Sequence, residues 1–180
     1  MKFAPMLALL MVASVSSASP QASQKSAADL LKAAQVKAAK EGKVVFVSFH
    51  ASWCGWCKRL DAFISNPVAK PILEKGFVFV SLDVLENKGK ENLETPGGLE
   101  VLKSVKGEEE GLPFSVIYSA KGVPLIDSRK TPGKAGSNIG YPAAPDEIAH
   151  FLKMLETAPK ITPADRATLK DWLVKNAPKN

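Results

Sequence analysis

Two cysteines, the only ones in the 180-residue chain, lie three positions apart at the junction of two contrasting segments. Residues 44–49 before them are a continuous β-branched and aromatic run of strand length, and residues 53–64 after them repeat apolar side chains at helical spacing. A run that is apolar at every position predicts a strand buried on both faces, and such strands belong to sheets covered by helices on both sides. The chain is therefore predicted to be an α/β protein with Cys54 and Cys57 at a strand-to-helix turn.

The remaining pattern supplies the other elements of such a fold. Strands are predicted over 77–84, 113–119 and 123–127, and helices over 21–41, 53–64, 68–75, 99–105, 145–156 and 162–175. Ser26 is the predicted cap of the first helix, which ends at Gly42. Only three residues separate the last two strands, which predicts a hairpin. This order predicts a mixed sheet with a crossover, a closing hairpin and an extra C-terminal helix.

The first 18 residues form a segment of different character. Met1-Lys2 gives a short positive start, residues 3–15 are apolar, and small residues follow at Ser16 and Ala18. This pattern is typical of a secretory signal peptide cleaved after Ala18, with Ala22 as a second cleavage point. An uncleaved anchor is the alternative, but the run is shorter than the ~20 apolar residues of a membrane span. We therefore expect a periplasmic or secreted protein without stable membrane insertion after cleavage.

Composition excludes several classes of function. The formal net charge of +6 comes from lysines spread along the chain, and aromatic residues do not alternate with them as in a nucleic-acid platform. Two cysteines cannot complete a four-cysteine zinc site, and His50 and His150 match no zinc-ligand spacing. We expect no nucleic-acid partner, no metal and no cofactor.

The Cys-x-x-Cys spacing allows the two sulfurs to meet across the first turn of a helix. Unpaired N–H groups and the helix dipole at that terminus favour a thiolate at Cys54, which is predicted to be the nucleophile and the more exposed sulfur. Cys57, one turn further in, faces the strand. It is predicted to attack the mixed disulfide formed at Cys54 and so release the partner.

Three other functions are possible for a Cys-x-x-Cys pair: haem attachment, metal binding and a structural disulfide. A c-type haem attachment needs histidine after the second cysteine, where this chain has Lys58. A metal site needs two further ligands, and only His50 lies close in sequence. An inert structural disulfide is compatible with an exported protein, but so short a loop constrains little of the unfolded chain.

Residues 45–58, Val-Phe-Val-Ser-Phe-His-Ala-Ser-Trp-Cys-Gly-Trp-Cys-Lys, resemble the active-site strand and helix of the thioredoxin superfamily. Gly111-Leu112-Pro113-Phe114 before the hairpin resembles the cis-proline segment of that family, and Gly140-Tyr141 resembles its terminal glycine before the last helix. The resemblance is strongest to exported thioredoxin-like proteins, including the soluble end domain of membrane thiol-reductant transporters. Together with the N-terminal pattern, it divides the chain into a signal peptide (1–18), a thioredoxin-like domain (23–158) and a C-terminal helical extension (159–180).

The resemblance implies roles for residues around the cysteines. Pro113 would have a cis peptide bond and face Cys54, and the backbone of Leu112 would pair with a bound substrate segment. The alternative for Pro113 is an ordinary trans proline that begins a strand. Trp53 would offer an apolar surface to partners or would pack in the core.

Trp56 and Lys58 complete this set of candidate residues. We expect Trp56 to form part of the partner surface, the alternative being that it packs beneath residues 86–111. Lys58 would favour a thiolate through its charge, or would be a solvated lysine.

Three departures from the family pattern stand out. Ser48 replaces the buried acid that receives the proton of the second cysteine in thioredoxins, and Asp83 is the nearest carboxylate we can suggest instead. Gly55-Trp56 replaces the Gly-Pro of reducing thioredoxins. Residues 86–111 exceed the usual connection and would form a lid, a partner surface or a flexible insertion.

The sequence thus predicts an exported, monomeric protein thiol–disulfide oxidoreductase that acts as a reductase through Cys54 and Cys57. Its expected partners are protein thiols and disulfides and a membrane or soluble thiol redox partner. A disulfide oxidase or isomerase is the alternative within the same chemistry. A non-catalytic thioredoxin-like module that senses redox state or binds metal is the alternative outside it.

Overall fold

Residues 24–178 are described by the structure, a computed structural model, so the predicted signal peptide lies outside the described residues. The strands are β1 (Val44–His50), β2 (Phe77–Asp83), β3 (Phe114–Tyr118) and β4 (Pro124–Asp127). The helices are α1 (Ala27–Glu41), α2 (Gly55–Ile64), α3 (Ala69–Gly76), α4 (Gly98–Ser104), α5 (Pro145–Leu155) and α6 (Pro163–Lys175), with a 3₁₀ turn at Glu91–Leu93. No helix within this part of the chain is long and apolar enough to cross a membrane.

The strands form one mixed sheet in the order β2-β1-β3-β4. β1 runs parallel to β2 and antiparallel to β3, and β3 and β4 form the predicted antiparallel hairpin. The α/β fold class with a mixed sheet is therefore confirmed. β1 has a neighbour on each side, so its carboxyl end, where the cysteines follow, lies at the middle of the sheet.

Alternation along β1 divides the interior into two cores. Val45, Val47 and Phe49 lie in the core that α1 and α4 cover. Val44 and Phe46 point to the opposite face, which α2, α3, α5 and α6 cover. A strand between two apolar layers has no polar face, and this explains why residues 44–49 are apolar almost throughout.

The predicted caps of α1 are confirmed, but the helix is shorter than predicted. The Ser26 hydroxyl accepts a hydrogen bond from the Asp29 N–H at 3.2 Å, and Gly42 ends α1 in the left-handed region with φ of 60°. α1 therefore begins at Ala27, later than the predicted residue 21, because the extended Ser26 backbone stops the helix there.

The C-terminal helix belongs to the main core. Thr162 caps α6 through a reciprocal hydrogen-bond pair with Asp165, as the Thr-Pro-Ala-Asp sequence predicts. Trp172 of α6 packs against Phe63 of α2 with ring centroids 5.1 Å apart. α6 therefore supports the helix that carries the cysteine pair.

Gly76 provides a test of this packing. A Cβ atom at this residue would lie 2.7 Å from both Ala158 Cβ and Ile161 Cγ1. We expect Gly76→Ala to lower the free energy of unfolding by about 1–3 kcal/mol, the usual cost of overpacking a core, in chemical denaturation. Gly111→Ala is the control, since a Cβ there meets nothing within 4 Å. Equal stability of the two variants would contradict the close packing at Gly76.

Candidate active site

Cys54 is the N-terminal cap of α2. Its backbone is extended, with φ of −80° and ψ of 105°, and its Sγ accepts a hydrogen bond from the Cys57 N–H at 3.1 Å. α2 thus begins at Gly55, two residues later than predicted, because the cap residue cannot be helical itself. A sulfur that receives a backbone N–H at a helix N-terminus is stabilised when it carries negative charge.

The two cysteines are joined in a disulfide whose Cα atoms are 5.3 Å apart. Cys54 is 4% exposed and Cys57 is 1% exposed, so the predicted order of exposure holds but both residues are nearly covered. Leu112 packs against the small cluster formed by these cysteines and Ala51. The segment that the sequence placed next to the cysteines therefore contacts them.

The Leu112–Pro113 peptide bond is cis, as the thioredoxin resemblance implies. The Asn138 side-chain amide donates to the carbonyl of Gly111 at 2.5 Å and to that of Pro113 at 3.1 Å. The glycine-rich loop that precedes α5 therefore holds the Leu112–Pro113 segment in place. No sequence pattern indicates this role for Asn138.

Residues just after β2 hold the turn that precedes Cys54. The Glu86 carboxylate accepts hydrogen bonds from the Ser52 N–H at 2.5 Å and from the Ser52 hydroxyl at 2.7 Å. The Trp53 indole N–H donates to the Leu85 carbonyl at 2.9 Å. The beginning of the 86–111 insertion thus fixes the active-site turn, a role that the sequence did not predict.

Both tryptophans of the motif are exposed, Trp53 by 49% and Trp56 by 48%. The Trp56 ring stacks on Tyr141 with centroids 6.1 Å apart, and the Arg59 guanidinium lies 5.3 Å from its centroid. The alternative in which Trp56 packs in the core beneath residues 86–111 is wrong. Tyr141 and Arg59 are contacts of the site that the sequence analysis missed, although Arg59 lies one helical turn from Trp56.

A groove of about 710 Å³ opens beside Trp56 and Leu112. Trp56, Leu112, Asn138 and Tyr141 are among its lining residues. Trp56 and Leu112 are therefore shared between this groove and the surroundings of the cysteine pair. A concave surface with aromatic walls next to a reactive group is suited to binding a partner segment.

Lys58 and Asp83, the residues predicted to assist ionisation of the cysteines, lie on different elements. Lys58 is exposed on α2. Asp83 ends β2 in register with His50 of β1, and its Oδ1 is 3.7 Å from His50 Nε2. The hydroxyl of Ser48 is buried and has no hydrogen-bond partner among the described residues.

A family model described as thioredoxin-like matches residues 26–120, which is more than half of the chain. The chain belongs to the thioredoxin-like family. Its matched region includes β1, the cysteine pair, α2 and the Leu112–Pro113 segment.

Three proteins to which the chain is similar are described next. Over 103 residues the chain is 32% identical to the thiol:disulfide interchange protein DsbD of Vibrio cholerae serotype O1, an alignment that covers 56% of this chain and 15% of that protein. A disulphide isomerase from Xylella fastidiosa Temecula1 shares the fold, with a TM-score of 0.50, 19% identity and coverage of 87% of this chain and 95% of that one. The oxidised C-terminal domain of DsbD from Neisseria meningitidis is 27% identical, with a TM-score of 0.39 and coverage of 58% and 86%.

The Glu86–Ser52 contact predicts a pH-dependent change at the active-site turn. Hydrogen bonds from the Ser52 N–H and, next, from its hydroxyl hold the pKa of Glu86 below the ordinary value of 4.5. A lowered folded-state pKa means that this tether is complete above pH 4.5 and is lost as pH falls through the lower folded value. We expect the NMR signals of the Ser52 amide and the Trp53 indole N–H to change together in that acidic range.

Glu86→Gln is the control for this titration, because its side chain does not ionise. The acidic transition of the two signals should be absent in this variant. A transition in the parent at or above pH 4.5 would contradict the hydrogen-bonded carboxylate.

Proposed function

We propose that this thioredoxin-like protein is an exported protein thiol–disulfide oxidoreductase that works as a reductase through Cys54 and Cys57. The observation that carries the proposal is the hydrogen bond from the Cys57 N–H to Cys54 Sγ at the start of α2. This contact stabilises a thiolate at Cys54, the cysteine that we propose reacts first with a partner. The thiolate is the reactive form in disulfide exchange.

Exchange proceeds in two balanced steps. The Cys54 thiolate attacks a partner disulfide, so that one sulfur of the partner bonds to Cys54 Sγ and the other leaves as a thiolate. The Cys57 thiol then loses its proton and attacks Cys54 Sγ. The Cys54–Cys57 bond forms as the bond to the partner breaks, and the partner gains the two electrons that the cysteine pair loses.

The surface around the disulfide supports a protein substrate. Trp53, Trp56 and Leu112 surround a pair of nearly covered sulfurs with exposed or half-buried apolar groups. Aromatic residues of this kind are frequent at protein interfaces. The Leu112 backbone is proposed to pair with an extended segment of the substrate, as strand addition does elsewhere.

The proposed direction of electron flow and the proposed location of the protein are supported by its N-terminal segment and by one relative. The apolar segment at residues 3–15 supports export to a periplasm or the exterior, where protein disulfides are common. Similarity to part of a thiol:disulfide interchange protein supports a role in electron transfer between thiols. We propose that a monomer receives electrons from a membrane or soluble thiol partner and passes them to protein disulfides.

Turnover is the test of this function. With dithiothreitol as reductant, catalytic amounts of the protein should reduce insulin repeatedly, with insulin B-chain precipitation as the measurement. Cys57→Ser should accumulate mixed disulfides at Cys54, visible on non-reducing gels, because the resolving thiol is absent. Cys54→Ser should accumulate none.

A non-catalytic redox module would give a different result. It would show at most one stoichiometric exchange with insulin and no turnover. Faster alkylation of Cys57 than of Cys54 in the reduced protein at neutral pH would contradict the assigned roles. A measured reduction potential as high as those of disulfide oxidases would contradict the reductase direction.

Trp56 is expected to affect partner binding more than stability. Trp56→Ala removes an indole that is already 48% exposed, so we expect the free energy of unfolding to change by about 1 kcal/mol or less. Insulin turnover should fall severalfold through a higher KM, while reaction with a small disulfide such as hydroxyethyl disulfide stays near that of the parent.

The control for Trp56 is Leu125→Ala on β4. Leu125 is 47% exposed, close to the exposure of Trp56. It lies on the edge strand β4, which β3 separates from β1, the strand that precedes the cysteines. A strong loss of thermal stability in Trp56→Ala with unchanged insulin kinetics would contradict the binding role.

A further inference from the structure

Ser48 stands at the position that holds a buried acid in thioredoxins, and its register partners on the neighbouring strands do not titrate either. Ser48 of β1 is paired in register with Ser81 on β2 and with Ser115 on β3. The Ser48 hydroxyl is buried and unpartnered among the described residues. Three serines in a row offer hydroxyl groups, whose protons do not titrate near neutral pH. Cys57 must therefore lose its proton to a group elsewhere.

One step further along the same face lies a cluster of three titratable side chains. Residues two apart on a strand share a face, so His50 lies on the face of Ser48 that α2 covers. His50 Nε2 is 3.7 Å from Asp83 Oδ1 of β2, and His50 Nδ1 is 3.9 Å from Asp61 Oδ2 of α2. Among the described residues, these two carboxylates are the only acidic groups within 4 Å of the imidazole.

Helix geometry relates this cluster to Cys57. Asp61 follows Cys57 by four residues, which places both on one face of the helix. Helical side chains lean toward the N-terminus, so the Asp61 carboxylate extends toward the turn that contains Cys57. Cys57 itself is buried against the sheet.

The imidazole is placed to hold a proton. Its side chain is only 18% exposed, and Nε2 is buried without a hydrogen-bond partner in the described part of the chain. Each ring nitrogen faces a carboxylate oxygen at ion-pair distance, so a positive charge on the ring would lie between two negative groups. Partial burial raises the pKa of Asp61, the charge on Asp83 raises it further, and His50 acts in the opposite direction.

We infer that His50, held between Asp61 and Asp83, accepts the proton of the Cys57 thiol when Cys57 resolves the mixed disulfide. This inference rests on the proposed disulfide exchange. The Cys57 S–H proton passes to the imidazole, the resulting thiolate attacks Cys54 Sγ, and the bond to the partner sulfur breaks. The partner leaves as a thiolate, and the imidazolium returns its proton to that thiolate or to water. Asp61 and Asp83 are positioning residues that stabilise the imidazolium.

A single-turnover reaction with excess Ellman's disulfide separates the two steps. Attack by Cys54 releases one thionitrobenzoate at a rate proportional to reagent concentration. Resolution by Cys57 releases the second in a phase that is independent of that concentration, which distinguishes it from direct attack on the reagent. The absorbance of thionitrobenzoate follows both phases.

His50→Gln should slow the second phase by about a hundredfold at neutral pH, the usual contribution of a general base. The first phase should be unchanged. The deficit should shrink as the pH rises past about 8.5, where a free thiol ionises without help. Asp61→Asn should slow the second phase by a smaller factor, about tenfold, because the imidazole remains but loses one stabilising charge.

His150→Gln is the matched control. This second histidine lies on α5, where its Nε2 is 2.9 Å from the Asp127 carbonyl oxygen, and its substitution should leave both phases at parent rates. A second phase in His50→Gln that equals the parent, or that is slowed by the same factor at every pH, would overturn the proton-acceptor role. Absence of the first phase in the parent would instead refute the role of Cys54 and the proposed function.

If His50→Gln does not fold, a measurement on the parent protein tests the inference. In the reduced protein the His50 ring signals in NMR should shift as Cys57 ionises, and this shift should be absent from the oxidised protein, where Cys57 is held in the disulfide. The His150 signals should be the same in both states. His50 signals that do not respond to the state of Cys57 would overturn the inference.

Discussion

The hydrogen bond between the Cys57 N–H and Cys54 Sγ depends on the whole architecture of the sheet. It exists because α2 begins immediately after the central strand β1, so that its first turn of N–H groups meets the sulfur that caps it. β1 fixes the position of this turn by pairing with β2 on one side and β3 on the other. α2 is fixed by burying Leu60 and Phe63 in the core that also holds α5 and α6. A chain with the same motif on an unanchored loop would lack this alignment.

Features whose cause is local could be predicted from the sequence. The apolar run of β1, the helical repeat after Cys54, the short hairpin connection and the Ser26 cap each depend on neighbours within a few residues, and each occurs in the structure. The errors were at helix starts, where the cap residue adopts an extended backbone while the apolar spacing already suggests a helix. Cys54 illustrates this, since the pattern placed residue 53 in a helix that begins at Gly55.

Features formed between distant residues could not be predicted in the same way. Ser52 and Glu86 are 34 positions apart, and Asn138 and Gly111 are 27 apart. Neither pair belongs to a periodic pattern, and a carboxylate in a polar stretch resembles any solvated acid. Their contacts depend on how β2 and the loop before α5 end beside the β1–α2 turn. The role of the 86–111 insertion is ambiguous in the sequence for the same reason. Its contact with the active-site turn is made by Glu86, and the partner, Ser52, lies in the turn before α2.

The two cysteines therefore depend on different parts of the molecule for their ionisation. Cys54 relies on backbone N–H groups, which carry no proton equilibrium of their own and act at any pH at which the fold persists. Cys57 relies on titratable groups at the ends of β1 and β2. The desolvation cost of Asp61 and Asp83 is smaller than that of a carboxylate under the middle of α2, since their side chains are 47% and 38% exposed. Because exposed charges respond to solvent pH and salt, the resolving step becomes the condition-sensitive half of the exchange.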